Sequence, residues 1–295
     1  MDTAQAALAP QKDVRPRRLR LARHPLRGPS SIGDLVRRRV AAAPVLALIL
    51  LAARLAAQTT APDSQRAGWL LLEGGGRLRG TDIVIRFVAL AGGPDRNYVA
   101  IPSAISDSES RPSRLAHCAS ASAEIFGVAH VTCLAAKDRD EAGGAAFVAA
   151  LRAADAVWFY GGEENRLVDL YVGTPVVAAL RAVLDRGGVV GGTSAGAMVL
   201  SSYIPTRGTL AVSAFGFLDS TAIYPHFTQR HYEEQLRDVL RTHPALRGIG
   251  IDENTAIVVH AGTFEVIGEG SVTVLRRQRT VLTAGQRFDL HGSPQ

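Results

Sequence analysis

A chain of 295 residues that is 47% hydrophobic and 20% charged has the length and apolar content for one large folded domain or two, which excludes a disordered or fibrous protein. Its net charge of +6 is unevenly placed: residues 1–57 hold eleven Lys or Arg (Lys12 through Arg54) against Asp2, Asp13 and Asp34, so the remainder carries −2. The high isoelectric point therefore belongs to the N-terminal segment, no basic stripe with interleaved aromatics follows it, and nucleic acid is not expected as a partner.

Within 1–57, Arg37-Arg38-Arg39 precedes an uncharged apolar run, Val40 to Ala53. Fourteen residues are short for a bilayer span and fit the apolar core of a signal peptide, with Leu55-Ala56-Ala57 as a cleavage region. The segment 1–57 reads as a basic export leader, the chain's one expected membrane contact. Residues 58–295 read as a single catalytic α/β domain, periplasmic or extracellular. A homodimer is compatible with this domain but not specified by it.

In chain order, Gly68 to Leu72 reads as an apolar strand ended by Glu73-Gly74-Gly75-Gly76. Thr81 to Ala91 reads as a helix closed by Gly92-Gly93-Pro94, and Tyr98 to Ile101 as a second strand. A helix follows Pro112 to about Phe126, then a strand over Val128 to Leu134, a helix over Ala142 to Ala153, and a strand over Ala156 to Tyr160. Thr174-Pro175 is an N-cap followed by proline at the first helical position, starting a helix that runs to Asp185. Gly187 to Val190 is the next strand. Short apolar strands alternating with helices predict a doubly wound, mainly parallel sheet. After Thr255 the pattern changes to alternating strands (AIVVH, TFEVIG, SVTVLRR, TVLTAG), a C-terminal antiparallel β appendage at one edge. Cys118 and Cys133 fall on a helix and the following strand; they read as small core residues rather than a pair, and lack metal-ligand spacing. Gly74-Gly75-Gly76 with Gly80 fits no nucleotide-binding fingerprint, and no cofactor is expected.

The chemistry centres on Gly191-Gly192-Thr193-Ser194-Ala195-Gly196-Ala197. A strand, a sharp turn with serine at its apex and a helix make a nucleophile elbow, and Gly192 to Gly196 fits G-x-S-x-G. The helix N-terminus behind Ser194 favours negative charge, and the Ala195 N–H is placed to donate to an oxyanion. The serine needs a base and the base an orienting acid. Of eight histidines, His226 stands out, ending the apolar run Ala222 to Pro225 just before a helix, where the catalytic groups of open α/β sheets gather. His231 falls on that helix, solvated. Gly248 to Ile251 likewise ends in Asp252-Glu253. Alternation sends these two carboxylates to opposite faces, so one of them can reach His226, and spacing does not choose between them.

These residues resemble the cyanophycinase and peptidase E family of serine exopeptidases. The resemblance spans about Leu70 to Leu290 and rests on Leu90-Ala91-Gly92-Gly93, Phe159-Tyr160-Gly161-Gly162, the elbow, His226-Phe227 with Arg230, and Gly250-Ile251-Asp252-Glu253-Asn254-Thr255-Ala256. It implies a flavodoxin-like, class I glutamine amidotransferase-like fold. It also implies a triad of Ser194, His226 and Glu253, with Gly162 and Ala195 as oxyanion donors and no metal. The chain departs from cyanophycinases at Tyr224-Pro225 before the histidine and at Glu163-Glu164 after the Gly-Gly turn. Glu163, Glu164, Arg166 and Arg230 are the candidate substrate-binding residues. The leading expectation is an exported serine exopeptidase acting on peptide or isopeptide (β-aspartyl-type) bonds through an acyl-enzyme. The alternatives are an esterase or amidase using the same triad on a small molecule, and a non-catalytic secreted binding protein on the same fold.

Overall fold

The computed structural model describes residues 68–105, 111–205 and 211–292. The expected leader, 1–57, lies outside them. Strand β1 (Trp69–Glu73) leads to helix α1 (Asp82–Ala91), where Thr81 accepts from the Val84 N–H and Gly92 ends the helix in the left-handed region. Ile83, Val84, Phe87 and Ala91 recur at helical spacing and are the residues it buries. Then come β2 (Tyr98–Ile101), α2 (Arg111–Phe126) and β3 (Val131–Cys133). The single helix expected over Ala142–Ala153 is two. Asp138 caps α3 (Arg139–Ala142), Gly143 closes it with its N–H on Arg139, and Gly144 opens α4 (Ala145–Ala153) in an extended conformation. Strand β4 (Ala156–Phe159) is followed by α5 (Glu164–Tyr171) and α6 (Pro175–Asp185), the latter capped by Thr174. Strand β5 (Val189–Thr193) runs into the short helix α7 (Ala195–Val199).

The remaining elements are mostly strands. They are β6 (Ser201–Pro205), β7 (Ala211–Ser213), β8 (Leu218–Pro225), then helix α8 (Glu233–Thr242), and β9 (Arg247–Ile251), β10 (Thr255–His260), β11 (Thr263–Gly268), β12 (Ser271–Leu275), β13 (Arg279–Thr283) and β14 (Arg287–Asp289). One sheet has the order β14-β11-β10-β1-β5-β4-β2-β3, in which the five strands β1, β5, β4, β2 and β3 run parallel to one another. This is the expected mainly parallel sheet. The antiparallel C-terminal strands divide in a way periodicity could not show. β10, β11 and β14 extend the main sheet at β1, whereas β12 and β13 join a second sheet, β13-β12-β9-β8-β6-β7. The strands leading to His226 and to Asp252-Glu253, β8 and β9, are parallel neighbours in that second sheet, not members of the main one.

One face of the main sheet packs Leu71, Ile83, Phe87, Phe126 and Trp158 under α1 and α2, with Phe87 and Phe126 edge-on to Trp158. The other face packs Leu72, Phe159, Leu180 and Val190 together with Ile204, Ile223 and Ile251 of the second sheet. One apolar core therefore sets the two sheets against each other.

Cys118 and Cys133 correct the expectation made of them. They form a disulfide joining α2 to β3, with Cα atoms 6.1 Å apart. Helix and strand face each other across a short turn, which periodicity places in sequence but not in space. A crosslink spanning 15 residues limits the unfolded chain and is worth about 3 kcal/mol on the loop-entropy account. Replacing both cysteines by serine should lower the unfolding free energy in a urea titration by about that amount. The wild type under reducing conditions should lose as much.

Candidate active site

The strand-turn-helix with Ser194 at its apex forms as the spacing predicts. Ser194 sits at φ 52°, ψ −118°, between β5 and α7. A side chain at Gly192 would collide with the Gly196 backbone, and one at Gly196 with the Phe159 carbonyl, so the strand-to-helix turn closes only with hydrogen at both positions. Gly161 passes within van der Waals reach of the Ser194 side chain, bringing the Phe159-Tyr160-Gly161-Gly162 segment against the elbow.

His226 follows β8, and Glu253 lies two residues beyond the end of β9. Pro225 and Ile251 pair in register, so the two side chains leave neighbouring parallel strands at the same end. His226 Nε2 lies 3.0 Å from Ser194 Oγ and His226 Nδ1 lies 2.7 Å from Glu253 Oε1. An ionised carboxylate only accepts, so Nδ1 carries the proton and Nε2 is left to accept from the serine hydroxyl. His226 is buried, while Ser194 and Glu253 are partly exposed.

Asp252 faces the other way. Its carboxylate accepts from the Thr228 N–H (3.1 Å), the Ser271 N–H (3.0 Å) and the Ser271 hydroxyl (2.7 Å), and it is 6% exposed. It ties β9 to β12 and to the turn after His226. The structure therefore makes the choice that spacing leaves open: Glu253 reaches the imidazole and Asp252 does not.

Two contributors were not read from the sequence. The Gln229 side-chain oxygen accepts from the Glu253 N–H (3.2 Å) and so holds the backbone of the acid. The Gly74-Gly75-Gly76 turn, which fits no nucleotide-binding fingerprint, is the floor under the histidine. The Gly74 carbonyl accepts from His226 N–H (2.7 Å), and a side chain at Gly75 (φ 103°) would occupy the space of the imidazole. A signal was present in the three glycines at a strand end, but what packs on them is set by a residue 151 positions away.

A cavity of about 500 Å³ opens beside Ser194, lined by Gly162, Ala195, Glu164, Arg230 and Tyr224 among others. Ala195 opens α7, so its N–H has no partner within the helix. The four candidate substrate residues separate. Glu164 and Arg230 line the cavity. Glu163 is exposed at the N-cap of α5 without a side-chain capping bond, and Arg166 Nε donates to the Ser103 carbonyl (3.3 Å). His231 lies exposed in the turn before α8 rather than on the helix. Burial raises the Tyr224 phenol above its ordinary value. Among the described residues no cluster of His, Cys, Asp or Glu is placed to hold a metal ion.

The chain matches peptidase family S51 over residues 70–267. It belongs to that family. Cyanophycinase of Synechococcus elongatus is 33% identical over 235 residues, covering 74% of this chain and 71% of the relative. Cyanophycinase of Geminocystis herdmanii is 30% identical over 214 residues, covering 68% of this chain and 77% of the relative. A crystal structure of a peptidase from an acI-B1 Actinobacterium superposes with a TM-score of 0.65 at 26% identity, covering 77% of this chain and 98% of that one. Family membership makes the protein a serine-type peptidase, and the matched region contains Ser194, His226 and Glu253.

The contrast between the adjacent acids is testable. Asp252→Asn sets an amide N–H against the Ser271 donors or the Thr228 N–H, and should cost about 1–3 kcal/mol of stability in urea titration. Glu253→Gln, at a partly exposed position, should cost less than 1 kcal/mol.

Proposed function

We propose that the protein is an exported exopeptidase that cleaves short peptide or isopeptide bonds, β-aspartyl ones among them, through an acyl-enzyme on Ser194. The observation that carries this reading is the continuous hydrogen-bond chain that starts at Ser194 Oγ in the cavity wall and runs through the His226 ring to Glu253 Oε1. As Ser194 Oγ bonds to the substrate carbonyl carbon, its proton passes to His226 Nε2, and Glu253 stabilises the imidazolium formed. The oxyanion develops beside Gly162 and Ala195, whose N–H groups are its donors. His226 then gives its proton to the leaving nitrogen as the C–N bond breaks, and water repeats the sequence on the acyl-enzyme.

Three further observations support the finer parts. A cavity of about 500 Å³ is of ligand size, which fits a short substrate rather than an extended polypeptide. Resemblance to the cyanophycinases supports the isopeptide class. The Cys118–Cys133 disulfide is characteristic of oxidising compartments, in keeping with the basic-then-apolar order of residues 1–57.

A fluorophosphonate probe should label the wild type at Ser194, and Ser194→Ala should abolish labelling with little change in melting temperature. His226→Ala should reduce turnover by roughly 10³-fold or more, since serine and base act as one unit. Labelling that survives in Ser194→Ala overturns the assignment. In a product-resolved screen, cleavage of simple esters without dipeptides or β-aspartyl peptides would favour the esterase reading.

Specificity is the second test. Glu164 and Arg230 line one cavity with opposite charges, which favours a substrate carrying a cationic group and a carboxylate. Glu164→Gln should raise KM for a basic peptide about tenfold or more without changing kcat, the signature of lost uniform binding. A neutral ester should be hydrolysed as before. Glu163→Gln, outside the cavity lining, should discriminate far less.

A further inference from the structure

Directly beneath the elbow lies an acid that the mechanism does not use. Glu73, the last residue of β1, is fully buried. It is two residues from Leu71 and so shares the face of the sheet that carries Ile83, Phe87 and Trp158. It pairs with Thr193 of β5 on one side and Ala256 of β10 on the other, and its own carbonyl accepts from the Ser194 N–H (3.0 Å). Among the described residues no donor meets either carboxyl oxygen at full hydrogen-bonding geometry, although the Thr193 hydroxyl and the Gly75 N–H lie close enough to act on the group. A buried carboxylate with no counter-ion would cost several kcal/mol, and such groups take up a proton instead.

We infer that Glu73 is a positioning residue carried as a neutral carboxylic acid under the nucleophile, and that its ionisation disables the elbow. The groups facing it are few. β5 presents the Thr193 hydroxyl, the strand-end turn presents the Gly75 N–H, and β10 presents apolar Ala256. Among the described residues the charge that reaches it is that of Glu253, the carboxylate on His226. Burial is the largest influence and pushes its pKa from 4.5 to about 7; the Thr193 hydroxyl and the Gly75 N–H oppose the rise, and Glu253 adds to it. Protonated, Glu73 has a hydrogen for the Thr193 hydroxyl next to Ser194. Ionised, it sets a second negative charge near Glu253 and opposes the negative charge that develops on the substrate adduct of the neighbouring Ser194.

The inference rests on Ser194 being the nucleophile, so the experiment has two arms. The first is the rate of fluorophosphonate labelling of the full chain against pH. The wild type should lose rate above neutral pH, and Glu73→Gln, permanently neutral, should not. The ratio of rates at pH about 9 and about 6.5 should be roughly tenfold or more higher in the variant. The second arm is thermal stability and needs no catalysis. Because the folded state holds this proton more tightly than the unfolded chain, stability from Glu73 is full below pH 4.5 and is lost as pH rises through about 7. The melting-temperature gap between Glu73→Gln and wild type should therefore widen in favour of the variant from pH about 5 to about 8. Glu73→Met, also uncharged, should reproduce both results and stands in where the glutamine variant does not fold. An alkaline fall in labelling that is the same in wild type and variants, or a stability gap that does not move with pH, overturns the inference. Absence of labelling in the wild type at every pH overturns the hydrolase reading instead, and the stability arm then decides the protonation of Glu73.

Discussion

Three consecutive carbonyls at the end of β1 hold the site together. Glu73 accepts from the Ser194 N–H at 3.0 Å, Gly74 from the His226 N–H at 2.7 Å, and Gly75 from the Asn254 N–H at 2.7 Å. Each partner belongs to a different segment: the elbow, the turn after β8, and the turn that carries Glu253. Side chains contributed by two sheets are thus referenced to one rigid strand end. Reactive geometry within a few tenths of an ångström depends on such supports, because a small misplacement of a nucleophile or base is costly in rate.

That anchoring coincides with backbone strain at the site. Ser194, His226 and Asn254 all take positive φ (52°, 52° and 55°), a region non-glycine residues enter at a cost of about 1–3 kcal/mol each. They are the three residues whose amides those carbonyls receive. The strain is offset by the surrounding core, in which Leu72, Phe159, Val190 and Ile251 are fully buried about the two strand ends. Locking Ser194 and His226 in these conformations directs their side chains toward each other before any substrate arrives.

The electrostatics divide along the same boundary. Glu253 is partly exposed and hydrogen-bonds the imidazole, whereas the carboxylate of Asp252, one residue earlier, accepts from Thr228 and Ser271. Glu73 is fully buried, no cation among the described residues acts on it, and its environment favours the proton over the charge. Three carboxyl groups within one small region thus take three roles, set by burial and by which donors reach them rather than by residue type.

Much of this was legible in the amino-acid sequence. The elbow at Ser194, helix α1 with its closing Gly92, helix α6 with Thr174-Pro175, and the parallel β-α alternation are local features, written in the spacing of apolar residues and in glycine and cap chemistry. The resemblance in turn picked out Ser194, His226 and Glu253. The second sheet was not legible, because strand periodicity says which face is buried but not which strand lies alongside. For that reason β12 and β13 could not be told from β10 and β11. The pairing of Cys118 with Cys133, the seating of His226 on Gly75, and the isolation of Glu73 share one property: each depends on a neighbour brought close by packing. Sequence specifies local conformation through short-range sterics and hydrogen bonds, whereas proximity between distant segments is decided only when the shared core closes around both sheets.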